Sequence, residues 1–200
     1  MHVREAIDRL DQIHDQLTRS EVYRGFRVPS VAAVGVLGLL AVALQPLVPG
    51  VGFVWYWIAV AGAGGLIGTA AALHAYAYRE DEFDRRRTRR VMAQFLPCLL
   101  AGGAVTAGLA RVPELVSFLP GLWAVLFGMG VIAARPHLPP AVGLVGLGYV
   151  AAGAALLLRA VPGAEPSAWA VGGVFGVGHL ATALVLWHGV GRDGEGGTDE

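Results

Sequence analysis

His179 is the side chain whose type and position most invite a chemical role. It lies far inside an apolar run near the carboxyl end of the chain. A polar group at such depth costs free energy when it has no hydrogen-bond partner, so it is by default a candidate for proton, ligand or metal handling. A threonine hydroxyl or a backbone carbonyl on a neighbouring helix would satisfy the ring equally well. A functional and a purely structural interpretation of His179 therefore both stand.

His74 and His188 lie near the ends of two apolar runs, at similar depth. Two histidines that face each other from separate helices can ligate haem or a transition metal. Histidines are also common at membrane interfaces, and nothing in the sequence sets the directions of these two rings. They are weak candidates for cofactor binding, and the sequence predicts no metal ligand set, no cofactor and no catalytic residue.

Several motifs that carry chemistry are absent from the chain. There is no HExxH zinc motif, no GxSxG nucleophile elbow and no phosphate-binding Gly-Lys loop. The lone Cys98 excludes an internal disulfide. No Asp, Glu, Lys or Arg falls in the core of any apolar run, which disfavours an ion-coupled pump or transporter. A net charge of zero gives no reason to expect a nucleic-acid partner.

The elements that must position these residues are membrane-spanning helices. Hydrophobic residues make up 55% of the chain and charged residues 15%, against about 25% charged in soluble proteins. Runs of about 20 apolar residues match the length that a helix needs to cross hydrocarbon. The sequence predicts an all-α polytopic membrane protein with six transmembrane helices in a domain over residues 28–188. The predicted spans are 28–44, 53–74, 91–110, 115–134, 141–158 and 166–188.

Residues 79–90 hold six arginines and four acids, so we expect this stretch to be a loop in water between spans 2 and 3. With six spans, thirteen arginines fall on one side of the membrane and only Arg111 and Arg159 on the other. Arginine is enriched in cytoplasmic loops, so both termini are expected in the cytoplasm. The arginine-rich, lysine-free composition indicates a GC-rich bacterial genome and hence the bacterial cytoplasmic membrane.

Residues 1–27 are predicted to form a cytoplasmic amphipathic helix followed by an interfacial anchor. Its apolar stripe has the spacing of a helix face, and the charges between are too balanced to attract anionic lipid strongly. A second copy of the chain or a cytoplasmic protein is the expected partner. The docking candidates on this stripe are Val3, Ile7, Leu10, His14 and Leu17. Residues 189–200 are predicted to be a flexible cytoplasmic tail.

Glycines and prolines suggest how the helices are arranged. Small-xxx-small patterns at Gly64–Gly68 and Gly172–Gly176 allow helix backbones to approach closely, within one bundle or across a homodimer. Each connection on the arginine-poor side contains Val-Pro, with a tryptophan following within ten residues. This recurrence is consistent with three tandem helical hairpins, although aromatic belts in apolar sequence also produce it.

The stretches 20–27, SEVYRGFR, and 118–128, FLPGLWAVLFG, resemble a group of small bacterial integral membrane proteins without an assigned activity, as does 133–139, AARPHLP. The resemblance implies six helices with a short charged helix before them, and no site residue. The leading expectation is a non-enzymatic structural, accessory or regulatory protein that acts through protein contacts at its cytoplasmic face. The alternatives are a channel or facilitator for a small neutral solute and a haem or metal redox subunit.

Overall fold

A computed structural model describes residues 28–78, 82–138 and 140–192 of the chain. Over these ranges the protein is all-helical and has no strand, and six helices are long and apolar enough to cross a membrane. The predicted amphipathic helix, with its docking candidates Val3, Ile7, Leu10, His14 and Leu17, lies outside the described residues. So does the end of the predicted tail.

The helices follow one another through short connections. They are α1 (Val28–Leu44), α2 (Phe53–Tyr78), α3 (Glu82–Leu109), α4 (Leu119–Ala133), α5 (Pro140–Arg159) and α6 (Val174–Arg192). Short 3₁₀ segments follow α1, precede α4 and follow α4, and a π-helical turn, Trp169–Gly173, leads into α6. In hydrocarbon every backbone polar group must be bonded within the protein, which is why the apolar runs are helical throughout.

Prolines and one glycine set several boundaries. Pro140 begins α5, where its missing N–H is not needed, and Pro113 begins the 3₁₀ segment before α4. Gly163 has φ +79°, a left-handed conformation that suits glycine, in the turn between α5 and α6. Its N–H donates to the carbonyl of Glu114 at 2.9 Å and ties together two connections on the same side of the bundle.

Two predicted boundaries need correction. The arginine-rich stretch is not simply a loop, because α3 begins at Glu82 and residues 82–87 form a helical extension ahead of the span Thr88–Leu109. The helix continues because arginine is a good helix former and nothing in the stretch interrupts the backbone hydrogen bonds. α6 also runs on to Arg192, so residues 189–192 are helical, whereas the sequence predicts them as the start of a flexible tail.

The closest helix pairs are α4 with α5 and α1 with α6. In both pairs glycines from the two helices face each other. A Cβ on Gly153 would lie 2.7 Å from the carbonyl oxygen of Gly121, and one on Gly176 would lie 3.0 Å from that of Gly35. Gly172 likewise has no room for a Cβ, which would strike Val42. The Gly172–Gly176 pattern therefore serves packing inside the bundle.

Two clusters of buried side chains close the two ends of the bundle. One joins the start of α1, α3 and α5 to the end of α4 and α6, and it consists of Val31, Val91, Ala134, Leu138, Val142, Ala183 and Leu186. The other joins the end of α1 to the start of α2 and to the π-helical turn, and it consists of Ala41, Val42, Trp57 and Val171.

α2 and α3 are attached much less closely than the other four helices. α2 packs mainly on α1 and α3 mainly on α4, while the two make little contact with each other. Gly65, Gly68 and Gly103 have open space where a Cβ would stand. Since the closest pairs, α4–α5 and α1–α6, connect different predicted hairpins, the three tandem hairpins stay a prediction.

Candidate functional site

The space between the two end clusters is a cavity of about 520 Å³ that all six spans line. This volume is within the range of about 300–1,000 Å³ typical of small-molecule sites. Its wall is mostly aliphatic, with five aromatic side chains: Trp57, Phe95, Trp123, Phe127 and Phe175. The loosely packed α2 and α3 form one side of it, through Gly65, Gly68 and Gly103 among others.

His179 supplies a nitrogen heterocycle to this cavity, halfway along its span. It lies at the midpoint of the span Trp169–His188, as Tyr149 lies at the midpoint of Pro140–Arg159. The Nδ1 atom of His179 is 2.8 Å from the carbonyl oxygen of Phe175, one turn earlier in the chain. The hydroxyl of Tyr149 is 3.0 Å from the same Nδ1 and donates to the same carbonyl at 3.2 Å. The buried ring is therefore partnered within the bundle.

This geometry assigns the proton of the neutral ring. A carbonyl oxygen only accepts hydrogen bonds, so the nitrogen 2.8 Å from it must carry the hydrogen. His179 is thus the Nδ1–H tautomer, and its Nε2 has a free lone pair. Nε2 has no hydrogen-bond partner among the described residues, whereas the ring borders the cavity. The site consequently presents one unused acceptor.

Local sequence explains how Tyr149 reaches this position. Tyr149 is only 3% exposed, and its ring lies against the backbone of Gly178, where any Cβ would collide with it. The ring also packs on Phe127, with centroids 5.0 Å apart at an interplanar angle of 61°, an edge-to-face arrangement that aromatic pairs prefer. Phe127 in turn contacts Phe175 and His179, each with centroids 5.3 Å away. The pair is held in an aromatic cluster.

Four other polar side chains of the cavity wall, Trp57, Thr106, Trp123 and Thr182, are also bonded within the bundle. Trp123 Nε1 on α4 donates to Thr106 Oγ1 on α3 at 2.8 Å, and that hydroxyl donates to the Gly102 carbonyl at 2.7 Å. Thr182 donates to the Gly178 carbonyl of its own helix at 2.8 Å. Trp57 Nε1 donates to Gln45 Oε1 at 3.0 Å, which joins α2 to the end of α1. The N–H and O–H donors of these four side chains are thus used within the bundle, whereas the lone pair of His179 Nε2 is not.

The two predicted haem candidates, His74 and His188, are on helices that make little contact with each other. His74 is exposed on α2, where its ring lies beside that of Tyr78, with centroids 5.2 Å apart and an interplanar angle of 43°. His188 is exposed near the end of α6, and α2 and α6 are not packed against each other. No group of three or more potential metal ligands occurs in the described part of the chain.

Two further polar side chains within the bundle lack partners. Gln94 Oε1 on α3 and Ser117 Oγ before α4 are buried without a hydrogen bond. Neither side chain lines the cavity. Thr69, another polar residue of the spans, is exposed on α2.

Sequence reasoning places His179 in a span but does not identify its partner or the cavity. Tyr149 reads as one more aromatic residue in an apolar run. The adjacent pair Gly178-His179 is the available signal, because a glycine beside a buried histidine leaves room for a ring from another helix. Comparisons with protein families, with curated proteins and with solved structures find no match to this chain.

Proposed function

We propose that this protein binds a membrane-dissolved apolar molecule in its central cavity and performs no covalent chemistry on it. The observation that carries the proposal is a cavity of about 520 Å³ among all six spans, open where α2 and α3 fail to pack. Predominantly apolar walls with a few convergent polar groups are the usual composition of small-molecule sites.

The position of the cavity restricts what can enter it. Its lining residues on α2 and α3 are in membrane-spanning segments, and Gly65, Gly68 and Gly103 leave the space between these helices unfilled. At that depth the surroundings are hydrocarbon and not water. A molecule that already partitions into the bilayer could enter sideways between α2 and α3 without crossing an aqueous phase.

The alternatives have less support from the geometry. A facilitator for a neutral solute needs a polar path, whereas Thr106 and Thr182 donate their hydroxyls to their own helices. A haem site at His74 and His188 would use two exposed residues on helices that make little contact with each other. Protein docking through residues 3–19 remains a prediction from the sequence and is compatible with ligand binding in the bundle.

We further propose the bacterial cytoplasmic membrane as the location, with both termini in the cytoplasm. The support is the distribution of arginines described above. In this orientation the end cluster that contains Val31 and Leu186 is on the cytoplasmic side, and Trp57 is near the opposite surface. The lipid bilayer is then the source of the ligand.

Cavity binding can be tested by filling the cavity from its open side. Purified protein in lipid nanodiscs would be irradiated with an alkylbenzene that carries a diazirine, and labelled peptides quantified by mass spectrometry. Labelling is expected at cavity residues of α3 such as Met92 and Cys98. Gly65→Phe should lower it about tenfold, which corresponds to roughly 1.4 kcal/mol of binding free energy.

Gly62→Phe is the matched control. Gly62 is on the same helix and also has open space at its Cβ position, but it does not line the cavity. Labelling of Gly62→Phe should equal that of the wild type. Equal labelling of both variants, spread evenly over lipid-facing residues, would show that the cavity is not a binding site. So would a stable dimer in which a second copy occupies the gap between α2 and α3.

A further inference from the structure

The free lone pair on His179 Nε2 indicates that the ligand should carry a hydrogen-bond donor. We infer that the cavity selects a membrane-dissolved phenol, an aromatic hydroxyl on an apolar body, whose O–H donates to His179 Nε2. The inference rests on the proposed function and deepens it, because it names the chemical class of the ligand for the same cavity.

The acceptor is fixed before any ligand arrives. The carbonyl of Phe175 holds the Nδ1 hydrogen at 2.8 Å, so the lone pair is necessarily on Nε2. The Tyr149 hydroxyl donates to the same carbonyl at 3.2 Å. A preorganised acceptor in an apolar site forms a stronger hydrogen bond than the same group in water.

Because the acceptor lies deep in its span, it should distinguish ligands that carry a hydrogen-bond donor from ligands that do not. A hydroxyl in hydrocarbon that finds no partner pays a desolvation cost, and at the membrane centre no water is present to relieve it. His179 is at the midpoint of its span, where such a partner is otherwise scarce. A ligand with a donor at this level gains the hydrogen bond, while an isosteric ligand without one leaves Nε2 unpaired.

The surroundings favour an aromatic hydroxyl over an aliphatic one. Phe127 is 5.3 Å from the His179 ring between centroids and Phe175 is 6.5 Å away, and both line the cavity with Phe95. Aromatic rings pack on one another in offset or edge-to-face geometry with centroids about 4.5–7 Å apart. A phenol ring can therefore pack on these side chains while its O–H points at Nε2.

The test compares 4-octylphenol with 4-octylanisole, its methyl ether, which has the same apolar body and no donor. Binding to protein in nanodiscs would be measured by competition with the alkylbenzene photoprobe. The wild type should bind the phenol about tenfold more tightly than the ether, the size of effect expected for one net hydrogen bond in an apolar site. His179→Phe should bind both with the affinity of the wild type for the ether.

Tyr149→Phe is the control for a merely structural disturbance. It removes the hydroxyl next to Nδ1 but leaves the Phe175 carbonyl to hold the tautomer, so the preference for the phenol should persist. A second readout does not depend on the folding of a variant. The ¹⁵N resonance of His179 Nε2 in the wild type should shift when the phenol is added and stay unchanged with the ether.

The outcomes separate the two proposals. Equal affinity of the wild type for phenol and ether, with no change in the Nε2 resonance, would overturn the inference about the phenol. Cavity binding would still stand if Gly65→Phe and Gly62→Phe differed as expected. If those two variants behaved alike, the cavity would not be a binding site and both proposals would fail.

Discussion

The proposed preference for a phenol depends on which ring nitrogen of His179 carries its hydrogen. The position of this hydrogen follows from one short distance. His179 Nδ1 lies 2.8 Å from the Phe175 carbonyl, four residues earlier on the same stretch of helix. The sequence places this histidine in a span correctly, because span length and hydropathy are local properties. Its Tyr149 partner is thirty residues away, and the pairing depends on which faces of α5 and α6 meet. Those facing directions are set by packing and are not visible in a hydropathy profile.

The Gly178→Ala substitution probes the link between the backbone and the polar pair. The new methyl group would occupy the place of the Tyr149 ring, so the ring must move and its hydrogen bond to the Phe175 carbonyl must lengthen or break. Overpacking of this kind costs about 1–3 kcal/mol. We expect a lower thermal unfolding midpoint in detergent, whereas the preference for phenol over ether should persist because the Phe175 carbonyl still holds the Nδ1 hydrogen. Gly148→Ala, at an open position next to Tyr149, should not lower the midpoint, and a wild-type midpoint for Gly178→Ala would contradict the argument.

The helices divide into a closely packed group and a loosely attached pair. The glycine patterns in the sequence predict close approach of backbones, and the structure bears this out at Gly172 and Gly176 against α1. At Gly65 and Gly68 the same residue type meets no neighbour. Composition alone cannot distinguish these cases, because a glycine is equally compatible with a tight crossing and with an open wall. The cavity exists because α2 and α3 make little contact with each other. A pattern of apolar residues does not reveal which helices will pack and which will not.

The crossing of α4 and α5 should tolerate larger residues poorly. A Cβ at Gly153 would be 2.7 Å from the Gly121 carbonyl oxygen and 2.8 Å from the Val125 backbone nitrogen, both fixed atoms. Gly153→Leu should therefore destabilise the protein by about 3 kcal/mol or more, at the upper end of overpacking effects. Reversible unfolding in mixed detergent micelles with denaturant would measure this. Gly148→Leu, on the same helix at an open position, is the control, and equal unfolding free energies for the two variants would show that the crossing is looser than described.

At the scale of the whole molecule, the sequence predicts the number and length of the spans but not which helices pack against each other. Six runs of apolar residues correspond to six long helices among the described residues, with α1 ending at the predicted Leu44 and α5 within one residue of its predicted limits. The sequence predicts the charged connector to be a loop, whereas the connector is helical from Glu82 onward. Charge excludes a segment from hydrocarbon but does not exclude a helix, since a helix can project beyond the membrane surface.

The orientation of the bundle determines which of its ends faces the cytoplasm. It is easy to test, because replacing the single cysteine gives a cysteine-free background for labelling. In a Cys98→Ala background, Arg86→Cys would place a thiol on the exposed extension of α3, and Gly50→Cys would place one in the exposed connection between α1 and α2. Thirteen arginines on the side of Arg86 against two on the other should hold that side in the cytoplasm even with one arginine removed. A membrane-impermeant maleimide should then label Gly50→Cys in intact spheroplasts and Arg86→Cys only in inverted vesicles or after permeabilisation.

Labelling of Arg86→Cys from outside intact cells would place both termini outside. The cavity would keep its access from the bilayer in that case, whereas docking of a cytoplasmic protein through residues 3–19 would be ruled out.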